Sequence, residues 1–188
     1  MEEKVTTMHY VCTIDQARQI VEERQQFWVS NCGCRESRGH CARSRMDVCL
    51  IFAEADPGSG TGKKAVSYAG VQGILAEART RQLVPRPYRG ETRTVTDGIC
   101  FCCDDCCGYF LNPDEPCDKG SLIEATNLEA CQACGDCVNV CYFGARKMEA
   151  GLVIDQARCY GCGLCVEACP EDAIRMVERE KLFFKKAY

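Results

Sequence analysis

Two stretches of this 188-residue sequence repeat one arrangement of cysteines: residues 131–141 read CQACGDCVNVC, and residues 159–170 read CYGCGLCVEACP. In each stretch three cysteines stand three positions apart, and a fourth follows four positions later. The stretches align at an offset of 28 residues, which also pairs Gly135 with Gly163. This regularity indicates an internal duplication in which each half supplies four thiols.

The spacing predicts how these thiols divide between two metal centres. Three thiolates at Cys-x-x-Cys-x-x-Cys spacing close around one face of a compact cube, whereas the fourth points away and serves the other cube. This crossed arrangement is the pattern of bacterial two-cluster ferredoxins. The sequence therefore predicts two 4Fe-4S clusters, the first bound by Cys131, Cys134, Cys137 and Cys169, and the second by Cys159, Cys162, Cys165 and Cys141.

Zinc is the alternative for cysteines at tight spacing. Two complete four-cysteine runs and the terminal pair Cys169-Pro170 favour iron-sulfur clusters over zinc. The first run departs from the pattern, because Tyr142 stands where the proline is expected. Since proline stiffens the backbone, we expect a less rigid geometry at Cys141.

The composition restricts the class of protein. A chain of 188 residues suits one or two domains. The start MEEKVTT lacks the basic and apolar regions of a signal peptide. The odd number of cysteines, 19, and their ferredoxin spacing favour a reducing cytoplasm over a disulfide-bonded secreted fold. No apolar run is long enough to span a bilayer, and the net charge of −4 makes nucleic acid a poor candidate partner.

Local patterns predict two helices before residue 85. Residues 13–16 read TIDQ, a capping box, and apolar residues at helical spacing continue as far as Trp28. Ser67 is expected to cap a second helix that ends near Arg81.

The segments after these helix starts favour irregular structure. Residues 56–64 read DPGSGTGKK, which fails the spacing of a phosphate-binding loop and predicts a flexible loop. The five arginines within residues 79–93 favour a solvated turn over a surface for RNA or an acidic partner.

A second concentration of cysteines lies in the first 122 residues. Residues 100–107 read CFCCDDCC, with five cysteines in eight positions. Neighbouring cysteines cannot all face one metal, so we expect a subset to bind a further iron-sulfur cluster, or two, with zinc as the alternative. The candidates are Cys32, Cys34, Cys41, Cys49, Cys100, Cys102, Cys103, Cys106 and Cys107. Cys12 and Cys117 stand alone and are expected to be buried as small apolar residues.

The N-terminal motifs resemble those of the anaerobic dicluster 4Fe-4S ferredoxin-domain proteins. The matching motifs are Cys-x-Cys-Arg at residues 32–35, Asp-x-Cys-Leu-x-Phe at residues 47–52 and Ile-Cys-x-Cys-Cys at residues 99–103. The resemblance covers nearly the whole chain and implies an electron-transfer protein or a subunit that works beside an anaerobic oxidoreductase. The family's triple cysteine after Ile99 is reduced here to Cys106-Cys107.

The sequence as a whole predicts an α+β protein. Residues 1–122 are expected to form a Cys-rich, helix-containing domain with a further metal centre, residues 123–178 a two-cluster ferredoxin fold, and residues 179–188 a tail in which Phe183-Phe184 docks onto a partner or onto its own domain.

The predicted function is low-potential electron transfer to a redox partner protein or an oxidoreductase complex, since no catalytic constellation accompanies the cysteines. Two alternatives stay open. The N-terminal centre is a catalytic site that reduces a disulfide or another small substrate, or the chain is a redox-responsive nucleic-acid-binding module.

Overall fold

The fold is described from a computed structural model, which covers residues 6–112 and 115–180. Over these residues helices and strands are mixed, as expected for an α+β protein. The helices are α1 (Ile14–Glu22), α2 (Gly33–Arg38), α3 (Tyr68–Thr80), α4 (Gly108–Leu111), α5 (Asp136–Asn139) and α6 (Leu164–Glu167), with a 3-10 turn at Gln156–Arg158. The strands are β1 (His9–Tyr10), β2 (Trp28–Ser30), β3 (Cys49–Ile51), β4 (Lys64–Ala65), β5 (Val84–Arg89), β6 (Thr96–Cys102), β7 (Cys117–Asp118), β8 (Leu122–Thr126), β9 (Arg146–Met148), β10 (Leu152–Ile154) and β11 (Ile174–Glu178).

The first seven strands form one sheet in the order β4-β2-β3-β6-β5-β1-β7. Neighbouring strands are antiparallel except β1 and β7, which are parallel. Val29, Leu50 and Phe101 belong to the core cluster that contains the buried residues of α1 and α3. Because successive side chains of a strand point to opposite faces, Cys49, next to Leu50, and Cys102, next to Phe101, lie on the face away from that core.

The capping box is confirmed, and the length expected for its helix is wrong. The Thr13 hydroxyl accepts a hydrogen bond from the Gln16 amide, and the Gln16 side chain accepts one from the Thr13 amide. The helix ends at Glu22, however, and Trp28 lies in β2, where it pairs with Ile51 and Ala65. Sheet pairing overrides the helical spacing there. The helix capped by Ser67 is confirmed as α3.

The solvated turn expected around the arginines is also wrong. Residues 84–89 form β5, which pairs with β6 along its length, and Arg86 is only 3% exposed. The segment expected to be a flexible loop packs on the same sheet. A β-carbon on Gly58 would lie 2.5 Å from the Ser30 hydroxyl, and the Thr61 amide donates to Glu36 over 2.8 Å.

The duplicated half of the chain is built with pseudo-symmetry. Helix α5 repeats as α6 at the offset of 28 residues, and each is preceded by a glycine in the left-handed region, Gly135 at φ 88° and Gly163 at φ 81°. The strand pairs cross between the halves: β8 pairs with β11, and β9 with β10. Each half therefore contributes one strand to each hairpin-like pair.

The described chain ends just after β11. The Arg179 guanidinium donates to the carbonyls of Gly120, Leu122 and Cys159 at 3.0, 3.0 and 3.1 Å, which fastens this end to the second cysteine run. The predicted docking role of Phe183-Phe184 lies outside the described residues. Across the part of the chain that the structure describes, no helix has the length and apolar character needed to cross a membrane.

Candidate metal centres

One cavity lies among four of the predicted ligands. Three of them, Cys131, Cys134 and Cys137, come from the first run, and Cys169 comes from the second. Met148, Leu152 and Ile174 supply apolar wall. The cavity therefore combines thiols with an apolar lining, the environment in which an iron-sulfur cluster is held.

A second cavity has the reciprocal composition. Its thiols are Cys159, Cys162 and Cys165 from the second run and Cys141 from the first. Its walls include the aromatic rings of Phe143 and Tyr160. The structure thus brings together the same two sets of four cysteines that the spacing predicts.

The backbone around these cysteines includes residues with positive φ, a conformation that favours glycine. Gly161 has φ 84°, and a β-carbon there would lie 2.2 Å from the Leu122 carbonyl oxygen. Its counterpart Ala133 also has a positive φ, 54°. These turns direct amides at sulfur: the Ala133 amide donates to Cys131 Sγ at 3.4 Å, and the Ala145 amide donates to Cys141 Sγ at 3.3 Å. Such hydrogen bonds raise the reduction potential of a cluster held by those sulfurs.

The loss of proline at position 142 does not open the turn. The Gly144 amide donates to the Cys141 carbonyl at 2.9 Å, and the equivalent bond in the second half, from Asp172 to Cys169, is 3.4 Å. Tyr142 takes the second position of the turn, where proline is favoured but not required. The turn at Cys141 is therefore closed without proline, and the lower rigidity expected there stays a prediction. The Tyr142 hydroxyl instead reaches out to donate to the Gln82 carbonyl at 3.0 Å.

A buried ion pair lies between the two cavities. Arg146 and Glu124 have side chains 1% and 2% exposed, and Nη2 lies 2.6 Å from Oε2. Arg146 Nη1 also lies 3.5 Å from Cys137 Sγ, a sulfur of the first cavity, while Glu124 lines the second. Burial raises the pKa of the thiols of Cys162 and Cys165 to about 12. These two thiols bind as thiolates only when a metal cation replaces their protons.

The nine candidate cysteines of the first 122 residues separate into two groups. Strand β6 divides them, because Cys102 is on the face away from the core whereas Cys103 belongs to the core cluster with Cys106. Adjacent cysteines such as Cys102 and Cys103 therefore belong to different groups. The six-cysteine group comprises Cys32, Cys34, Cys49, Cys100, Cys102 and Cys107, and the three-cysteine group comprises Cys41, Cys103 and Cys106.

The six-cysteine group lies on the face of the sheet away from the core cluster. Cys49 and Cys100 have their sulfurs 3.9 Å apart, and the Ser59 hydroxyl donates to Cys49 at 3.2 Å. Hydrogen bonds from Cys107 and Cys32 lower the pKa of the Cys34 thiol far below its ordinary value. The N-terminal end of α2 is thereby joined to β3 and β6, although 50 residues lie between Cys49 of β3 and Cys100 of β6.

One buried arginine accompanies each N-terminal group. Arg86 Nη1 lies 3.8 Å from both Cys102 Sγ and Cys107 Sγ. Arg35, which is 0% exposed, donates to the carbonyls of Arg45 and Phe101 at 2.7 and 3.0 Å and also contacts Cys106. The arginine of the Cys-x-Cys-Arg motif therefore packs against thiols. Sequence reasoning did not identify Arg86 as a neighbour of these thiols, because its strand was expected to be a turn.

Aromatic side chains fill the space between the six-cysteine group and the second cavity. The Tyr109 ring lies 4.0 Å from the Arg86 guanidinium and 6.5 Å from the Tyr160 ring. Tyr160 in turn stacks on Phe143 at 4.4 Å. Sequence reasoning missed this packing, although the aromatic residues that directly follow Cys141 and Cys159 were a signal for it.

The two solitary cysteines have different surroundings. Cys12 is 3% exposed and belongs to the core cluster, as expected. Cys117 is only half-buried in β7, where its thiol donates to the Asp118 carbonyl at 3.7 Å.

Comparisons with known proteins agree with this chemistry. The 4Fe-4S binding domain family matches residues 152–175. YsaA of Escherichia coli K12, which its name assigns provisionally to electron transport, is 38% identical over 77 residues, 38% of this chain and 49% of that protein. The electron transport protein HydN of the same strain is 37% identical over 75 residues, 37% of this chain and 43% of HydN.

A third relative belongs to a larger assembly. It is one of the subunits of an ion-translocating oxidoreductase complex of Methanosarcina acetivorans, and it is 38% identical over 60 residues, 31% of this chain and 23% of the relative. The chain spans less than half of the length of each of these relatives. No solved structure matches the chain. These findings identify a 4Fe-4S ferredoxin-type region and relate the chain to electron transport proteins and oxidoreductase subunits.

Proposed function

We propose that the protein transfers electrons at low potential through two 4Fe-4S clusters, as a carrier or as a wiring subunit of an anaerobic oxidoreductase. The observation that carries this proposal is the composition of the two cavities, each lined by three cysteines of one run and the fourth of the other. In this proposal residues 123–178 are the two-cluster ferredoxin domain, and residues 1–122 are a Cys-rich domain that supplies a further centre.

The residues around the cavities suit such a role. A bound 4Fe-4S cluster supplies exchange of a single electron. The eight cysteine thiolates would hold the clusters. The amides of Ala133 and Ala145, which donate to two of their sulfurs, would raise the reduction potential, and the apolar lining would lower it. Apolar side chains such as Leu152 and Ile174 exclude water, which favours low potential.

The six-cysteine group supports a further centre in the relay. Its thiols converge from α2, β3, β6 and the turn before α4, and Arg86 lies buried beside them. The rings of Tyr109 and Tyr160 connect this group with the wall of the second cavity. A redox centre at the six-cysteine group would therefore exchange electrons with the second cluster through packed protein.

The crossed ligation is tested by single Cys→Ser variants, purified without oxygen and followed by EPR of the reduced clusters. We expect Cys169→Ser to alter the same spectral component as Cys134→Ser. Cys141→Ser should alter the same component as Cys162→Ser. Cys12→Ser, which removes a buried thiol outside both cavities, is the matched control and should leave both components unchanged. Grouping of Cys169→Ser with Cys162→Ser would contradict the assignment.

The electron-transfer role is tested separately from the ligation. The isolated, chemically reduced protein should pass electrons to a partner oxidoreductase and should not turn over a disulfide or another small substrate by itself. Steady turnover by the isolated protein would instead favour a catalytic N-terminal centre. Salt-dependent binding to DNA or RNA would favour a nucleic-acid-binding module.

A further inference from the structure

We propose that the three-cysteine group, Cys41, Cys103 and Cys106, binds a single divalent metal ion of the zinc type, with an exchangeable fourth ligand. This site goes beyond the electron relay, since a zinc ion has no redox chemistry. It also divides the N-terminal cysteines by function, leaving the six-cysteine group for the iron-sulfur centre.

The sulfur positions favour one ion over a cluster. Cys103 Sγ lies 3.3 Å from Cys106 Sγ, and Cys41 Sγ lies 3.6 and 3.5 Å from these two. Three sulfurs about 2.3 Å from one tetrahedral ion lie about 3.8 Å from each other. Thiolates on a cube bind separate irons and stand farther apart. Within residues 6–112 and 115–180 no other three Cys, His, Asp or Glu ligand atoms lie within 4.8 Å of one another.

The charge of Arg35 supplies a second, independent observation. Arg35 is 0% exposed and contacts Cys106, and among the described residues it forms no ion pair with a carboxylate. A buried cation requires a compensating negative charge. Three thiols would supply none, whereas three thiolates with one divalent ion carry a net charge of −1. The metal-bound state of the group therefore balances Arg35.

The three sulfurs leave one position of a tetrahedral ion without a protein ligand. The Asp105 carboxylate contacts the Cys41 thiol, but no fourth Cys, His, Asp or Glu ligand atom of the described residues lies within 4.8 Å of all three sulfurs. Cys103 and Cys106 are buried, and Cys41 is half-buried at the edge of the group. We therefore expect water as the fourth ligand, replaceable by a small thiol or another soft anion, as at zinc sites with three protein ligands.

The site is tested by metal analysis of the full-length protein purified without oxygen. We expect one zinc per chain, lost in Cys41→Ser and Cys106→Ser with no change in iron, and retained in Cys12→Ser. A fall in iron in the first two variants would assign these cysteines to a cluster and overturn the proposal. Wild-type protein with no zinc and three additional reactive thiols would overturn it as well. The proposed electron relay fails separately, through a wild-type iron content below that of two clusters.

Two further measurements define the site. Cobalt in place of zinc should give sulfur-to-cobalt charge-transfer bands, and added 2-mercaptoethanol should shift the cobalt d–d bands. An unchanged spectrum would reject the open position. Arg35 is a positioning residue in this proposal, so Arg35→Met should lower cobalt affinity at least tenfold and Arg35→Lys should restore part of it. Equal affinity in all three proteins would reject the role of its charge.

Discussion

The buried carboxylate of Glu124 gives a quantitative test of the second cavity. Glu124→Gln removes one negative charge and keeps the shape of the side chain. The carboxylate is 2% exposed, lines the cavity that contains Cys165, and is paired with Arg146 at 2.6 Å. Loss of this charge should make reduction of a cluster in that cavity easier, because reduction adds an electron next to it.

The size of the effect follows from Coulomb's law. A carboxylate about 7 Å from the centre of the added charge interacts with it by about 2.4 kcal/mol at an effective dielectric constant of about 20. This energy equals about 100 mV for a one-electron couple. Since water beyond the cavity walls screens part of the interaction, we expect an upward shift of about 50–100 mV.

The assay is an anaerobic redox titration of each cluster, monitored by EPR. Glu171, an exposed carboxylate at the wall of the first cavity, provides the matched control. Glu171→Gln should shift the first potential by less than about 20 mV, because an exposed charge is screened by solvent. In Arg146→Met/Glu124→Gln both charges are gone, and the second potential should return toward the wild-type value. A downward shift in Glu124→Gln, or none, would refute the reasoning.

Three further predictions concern the backbone, the six-cysteine group and position 142. Gly161→Ala should destabilise the fold by about 1–3 kcal/mol, because this residue has a positive φ, and we expect a lower iron occupancy. Gly151→Ala, whose β-carbon meets nothing within 4 Å, should retain full iron. Equal loss of iron in both variants would contradict the predicted backbone strain. Arg86→Met should remove the metal of the six-cysteine group while the exposed Arg81→Met retains it, checked by metal analysis, and retention in both would show that the buried charge is dispensable. Tyr142→Pro should retain both clusters and lower the midpoint of thermal unfolding, because it loses the bond to Gln82, worth about 1 kcal/mol, and also the packing of the ring on Phe110 and Arg43. Tyr142→Phe loses only the bond and should lower the midpoint less, and loss of iron in Tyr142→Pro would show that tyrosine is needed at the turn.

The second half of the chain could be read from its sequence because the spacing is local. Three cysteines within seven residues must lie close together whatever the rest of the chain does, and the repeat at residue 159 supplies the symmetry. The same was true of the helix starts at Thr13 and Ser67, where a side chain caps a backbone amide three residues away. Helix ends were harder, since the pairing of Trp28 with Ile51 and Ala65 depends on strands far away in sequence.

The N-terminal cysteines could not be sorted by spacing, because their grouping depends on a sheet. Cys102 and Cys103 are adjacent in sequence, but Cys102, the last residue of β6, lies on the face away from the core cluster, whereas Cys103, just after the strand, belongs to that cluster. The five arginines of residues 79–93 favoured a solvated turn, so Arg86 was expected in solvent instead of in β5 beside Cys102. The side of the sheet on which Cys102 lies, and its contact with Arg86, depend on strand pairing between distant residues, which a single sequence does not show.

Charge explains why arginine, rather than an apolar residue, occupies these interiors. Arg35 contacts the three-cysteine group, Arg86 the six-cysteine group, and Arg146 lies between the two cavities. Burying each guanidinium is costly unless a negative charge accompanies it. Glu124 compensates Arg146, and Glu115 approaches Arg86 at 3.6 Å, but Arg35 faces only carbonyls and thiols among the described residues. Because thiols become anionic when they bind metal, the buried arginine that follows Cys-x-Cys supports the metal proposed for the N-terminal half.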